Sequence, residues 1–219
     1  MNPRTDEFYT TSRLFKLEGF LKIGFILTTF LYIPIAHFKF IQLLTGFAAS
    51  GLGLFRQQGA IKLSKDYLIA TILSDFGSSM LYLLMLVFLE SPSIAFFLPL
   101  DIYFSIGASE FLTRGKVEFL LKFEKVKSIT HVILTTKEEL KKARVYVEVF
   151  VFVYLLVLTI MRKVSVLPVL VSFNYLRIRG MSVIGKHVYW TFKCDLDKAL
   201  GRVPILAKVF GWFFGVLMG

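Results

Sequence analysis

The chain has 219 residues, 56% of them hydrophobic, with a mean hydropathy of +0.68 and a formal net charge of +11. So apolar a composition excludes an ordinary soluble domain of this length and points to helices in a bilayer. Basic residues flank apolar runs without forming an aromatic-basic reading surface, so the charge selects anionic lipid headgroups as partner and no direct nucleic acid.

Residues 1–18 are polar, and no cleavable signal peptide is expected there. Residues 19–36, "GFLKIGFILTTFLYIPIA", form a first apolar segment of about 18 residues, near the lower limit for crossing a bilayer. Lys22 near its start is expected to snorkel to headgroups. In a second helix, about 38–56, Gly46 and Ser50 stand four apart, as do Ala49 and Gly53. That spacing puts small residues on one face, where another helix can approach closely. Whether this first pair spans or re-enters stays open.

Residues 67–89 and 93–112 are expected to form a helical hairpin with Glu90, Ser91, Pro92 and Ser93 at its tip. Residues 113–144 carry nine basic residues and alternate apolar and charged positions at helical spacing. They are expected to lie on the cytosolic surface, with a break near "SITHVILTTKEE". Residues 145–161 are apolar enough for a membrane helix. With the shorter run 166–176 they predict a shallow hairpin. From 177 the chain is basic. Val188, Phe192, Leu196, Ala199 and Val203 share a face of a helix over about 186–203, and Pro204 ends it. In the last run Ala207, Gly211, Gly215 and Gly219 recur every fourth residue.

The division expected is therefore 1–18, polar; 19–112, membrane hairpins; 113–144, basic and cytosolic; 145–176, membrane hairpin; and 177–219, basic and amphipathic. The fold class is all-α: a polytopic integral membrane protein of helical hairpins with cytosolic amphipathic helices. The basic loops place 56–65 and 113–144 in the cytosol.

Two aspartates need explaining, because an ionised carboxylate in hydrocarbon costs about 2.5–3.5 kcal/mol on insertion scales. Thr71, Asp75, Ser78 and Tyr82 form one polar stripe, and Asp101, Ser105 and Ala108 another. The two carboxyls lie at similar expected depths and could be neighbours. Asp75, Ser78, Asp101 and Ser105 are assigned to intramembrane packing, with the glycine stripe Gly211, Gly215 and Gly219. The alternative is a small transporter or channel accessory that uses Asp75 and Asp101.

No catalytic constellation is found. His37, His131 and His187 have no second ligand one helical turn away, and the Walker, dinucleotide and nucleophile-elbow patterns are absent. The lone Cys194 cannot form an internal disulfide. No catalytic residue, metal or cofactor is expected. The basic aromatic tail is expected to bind the membrane surface and respond to curvature, through Lys193, Lys198, Arg202, Lys208, Trp212 and Phe213.

The order of features in "GLFRQQGAIKLSKDYLIATILSDFGSSMLYLLMLVFLESPSIAFFLPL", residues 53–100, resembles the transmembrane protein 33 family, which includes the fungal pore-membrane nucleoporins. Asp75, the Tyr82–Leu84 run and the prolines Pro92 and Pro99 carry the resemblance. So does "SFNYLRIRGMS", residues 172–182, through Leu176, Arg179 and Ser182, although Gly180 stands where the family usually has tyrosine. The resemblance implies a non-enzymatic, multi-pass protein of the endoplasmic reticulum membrane and nuclear envelope. It also implies links to reticulon-type shaping proteins, nucleoporins or importins. A homo-oligomer is left open.

Overall fold

The computed structural model describes residues 13–32, 38–58, 64–89, 92–114, 117–200 and 204–218. Every regular element among them is helical: α1 Arg13–Tyr32, α2 Phe38–Gln58, α3 Lys65–Leu73, α4 Asp75–Val87, α5 Leu98–Arg114, α6 Glu118–Leu121, α7 Glu124–Thr135, α8 Lys137–Ile160, α9 Val166–Gly180, α10 Val183–Leu200 and α11 Pro204–Met218, with a 3-10 turn at Ile94–Phe96. The chain divides into two compact units, Met1–Arg144 and Val145–Gly219.

In the first unit α1 packs on α2 and α5, and α2 packs on α4. The small residues of α2 make this possible. Ala49 and Ser50 are fully buried. A Cβ on Gly46 would lie 2.8 Å from Leu83 and 2.9 Å from Phe25, and one on Gly53 would lie 1.9 Å from the Phe76 ring. Small side chains let helices approach to a separation that branched ones forbid.

The expected continuous helix over 67–89 is two helices, α3 and α4, bent by 75° at Ser74. The cause is local chemistry. Ser74 is extended at ψ 156°; its hydroxyl donates to the Thr71 carbonyl at 2.6 Å and accepts from the Gly77 amide at 3.0 Å. A serine oxygen that satisfies a helix-start amide favours a new helix over continuation. The bend brings Gly77 onto the preceding turn, where a Cβ would sit 1.9 Å from the Thr71 oxygen. The second unit repeats the device between α9 and α10. There Ser182 donates to the Arg179 carbonyl at 2.7 Å, accepts from the Gly185 amide at 3.1 Å, and a Cβ on Gly185 would lie 2.0 Å from the Arg179 oxygen.

These breaks limit the spans. At 1.5 Å per residue, α3 and α4 are about 14 and 20 Å long, too short to cross singly. Among the described helices one, α8, is long and apolar enough to cross a membrane by length and composition, with a mean hydropathy of 2.1 over its best window; the bent α3–α4 pair passes only if counted together. The expected 93–112 span is a 3-10 turn followed by α5, whose 17 residues include Asp101, Glu110 and Arg114.

In the second unit α8 ends where Arg162 takes φ 57°. The Arg162 and Lys163 amides donate back to Thr159 and Leu158, both at 2.9 Å. This closes the last turn through a left-handed residue, a position that usually falls to glycine. Pro204 opens α11, where its missing N–H costs nothing. Beyond it, α11 comes so near α9 that a Cβ on Gly180 would lie 2.2 Å from the Leu217 carbonyl.

Candidate functional site

The polar side chains of the first unit gather on the buried face of α1. Glu18, Lys22 and Thr29 are 1%, 6% and 4% exposed. Lys22 donates to Glu18 one turn away, and the Arg56 Nε donates to the other Glu18 oxygen at 2.8 Å. The Lys22 ammonium also lies 5.3 Å from the Phe76 ring centre. Lys22 therefore does not snorkel as expected. A partnered carboxylate and an aromatic face are available inside, and once the carboxylate is buried it needs its cations.

Eleven residues along the same helix, Thr29 accepts from the buried Gln42 amide and donates to Asp101 at 2.8 Å. Asp101 is thus engaged by α1. Asp75 does not share that site: it is exposed, the first residue of α4, where a carboxylate meets the positive end of the helix dipole. The two aspartates, which could have been neighbours, thus stand in different surroundings. Ser78 is buried, and its hydroxyl returns to the Asp75 carbonyl at 3.0 Å, within its own helix. Ser105 is half-buried on α5. Between the two polar groups of α1 lies Phe25, fully buried, with its ring centre 4.6 Å from that of Phe104 and 6.5 Å from that of Phe97.

Two more side chains tie the unit together. Tyr82 donates its hydroxyl to the Phe96 carbonyl at 2.9 Å, fixing α4 to the 3-10 turn. Arg144, 2% exposed, donates to Ser79 at 3.2 Å and stacks 4.6 Å from the Tyr103 ring centre. Arg144 is one of the nine basic residues of 113–144, a segment the sequence assigns to the cytosolic surface.

The second unit has its own buried carboxylate. Glu148 accepts from the Tyr175 hydroxyl at 2.5 Å and lies 3.5 Å from Arg179. Nearby, Tyr189 donates to the Leu176 carbonyl at 3.0 Å. Burial pushes the Tyr189 phenol well above its ordinary range, and Glu148 adds to the effect.

The tail residues divide. The apolar face of α10 turns inward: Val188 and Tyr189 are buried, and Phe192 packs on Tyr146, Phe150 and Phe214. Phe213 stacks on Phe152, 5.5 Å between ring centres, and meets Phe173, so its ring packs within the unit. Lys193 is half-buried beside Trp190, 5.8 Å from the ring centre. Lys198 and Lys208 are exposed, with Trp190 at 58%, Val209 at 55% and Trp212 at 70%. A Cβ on Gly211 or Gly215 would meet nothing within 4 Å, so neither supports a close helix contact here. Arg202 and Gly219 lie outside the described residues, as do Glu90 and Ser91 at the expected hairpin tip.

No group of three or more potential metal ligands gathers among the described residues. What is built instead is a helical protein with paired interior charges and an apolar exterior, the construction of a membrane protein. The chain belongs to the family of transmembrane protein 33 and nucleoporin POM33, which it matches over residues 7–197. It is accordingly a membrane protein of a nuclear-pore-associated family, and that family is not one of known enzymes. No curated protein and no solved structure matches it.

Proposed function

We propose that the chain is a multi-pass, non-enzymatic organiser of the endoplasmic reticulum membrane and nuclear envelope that tunes tubule shape or nuclear pore distribution. The carrying observation is the outer face of α10 and α11, where Trp190, Lys198, Lys208, Val209 and Trp212 are exposed while the inward face is filled by aromatic packing. Exposed tryptophan beside lysine suits the headgroup boundary, where the ring enters the interface and the ammonium meets phosphate. This differs from insertion by the whole apolar stripe of residues 186–203, because Val188 and Phe192 of that stripe pack inside the unit, while Val203 lies outside the described residues. Reticulon-type shaping proteins, nucleoporins and importins are the partners the family reading suggests.

The transporter reading has less support. Asp75 is exposed at the start of α4 while Asp101 is bonded to Thr29, and the Phe25–Phe104 contact separates the polar groups of α1.

The test is full-length protein carrying Lys198→Gln, Lys208→Gln and Trp212→Ala together. The expected result is retained insertion with reduced enrichment at the nuclear envelope and on narrow tubules. Unchanged distribution at equal expression would overturn the role of this face.

A further inference from the structure

Helix α7 leaves apolar side chains uncovered beside lysines. Only Thr130 on it is buried, while Ile129 and Val132 are 60% and 56% exposed and Phe123, at its N-cap, is 55% exposed. Lys125, Ile129 and Val132 stand at i, i+4 and i+7, one stripe of the helix. Lys122 and Lys127 are also exposed, and residues 122–135 hold three lysines against the single acid Glu124. The other side of α7 rests on α5.

Two observations say what covers this stripe. The first is charge: a second copy would set lysine against lysine, whereas an anionic headgroup layer neutralises them. The second is placement. Thr136 alone separates α7 from α8, the helix able to cross a bilayer. The charged start of α8, residues 137–144, rises about 12 Å before the apolar run at 145, so α7 departs on the water side of the hydrocarbon, beside the headgroups.

We propose that α7 lies in the plane of an anionic bilayer surface, with Ile129 and Val132 in the interface and Lys122 and Lys125 against lipid phosphates. This rests on the membrane residence of the chain and not on the role of the tail.

The test uses full-length protein in nanodiscs of phosphatidylcholine with and without phosphatidylserine. Cys194→Ser, or Cys194→Ala if that folds better, removes the only cysteine. Ile129→Cys, Val132→Cys and, off the stripe, the exposed His131→Cys are then each labelled with an environment-sensitive fluorophore. Labels at 129 and 132 are expected to be blue-shifted and quenched about twofold more by a lipid-borne quencher than the label at 131, with the difference growing with phosphatidylserine. Lys122→Gln and Lys125→Gln together are expected to abolish that growth. Equal, water-like signals at all three positions would overturn the proposal, as would concentration-dependent crosslinking of two copies through position 129. Co-elution with the disc reports membrane residence separately, so a failure of α7 is distinguished from a failure of the membrane reading.

Discussion

The two units each seal a glutamate at 1% exposure, yet they surround it differently. Glu18 has two cations, Lys22 and Arg56, and sits where small residues of α2 let the helices close. Glu148 has one arginine and a tyrosine hydroxyl, in a unit filled by the rings of Phe152, Phe173, Phe213 and Phe214. The glycines diverge in the same way. Gly46 and Gly53 lie under neighbouring side chains, whereas Gly211 and Gly215 face open space. A small residue at every fourth position shows which face is smooth, but not whether anything lies against it.

Breaking the two charge clusters should have the largest effect. Glu18→Ala and Glu148→Ala are each expected to cost about 3–5 kcal/mol in detergent-solubilised unfolding, because each strands a buried cation. Replacing Glu148 and Arg179 together, by leucine and methionine, is expected to recover most of that loss. Glu18→Leu would still leave both Lys22 and Arg56, so recovery there would break the comparison.

The hinge glycines come next. Gly77→Ala and Gly185→Ala drive a methyl into a carbonyl oxygen and are expected to cost about 2–3 kcal/mol each by the same measurement. Gly215→Ala, by contrast, should stabilise by about 0.5–1 kcal/mol, since alanine suits an open helical site better. Ser74→Ala and Ser182→Ala are expected to cost about 1 kcal/mol each through the lost cap. An effect as small as that of Gly215→Ala is expected at the end of α8, where Arg162→Gly relieves the left-handed backbone and should stabilise by roughly 0.5–1 kcal/mol.

The helical class, the close-packing face of α2 and the break before α8 were legible in the sequence. Each follows from local chemistry: apolar runs, small residues four apart, or a polar interruption. The bend at Ser74 was not recognised, although Ser-x-x-Gly occurs at both hinges, because an apolar run of adequate length hides a cap inside it. Glu148 was as visible as Asp75, a lone carboxylate in an apolar run, but its partner Arg179 lies 31 residues on, and only folding joins them. The inward packing of Val188 and Phe192 on α10 was likewise unreadable, since an amphipathic face suits a bilayer and a neighbouring helix equally well.

The most direct test of the proposed role is vesicle shape. Full-length protein is reconstituted into liposomes at increasing density, and vesicle diameters are measured by electron cryomicroscopy. The account predicts progressive narrowing or tubulation as protein density rises. Unchanged diameters, with insertion verified on the same samples, would contradict it.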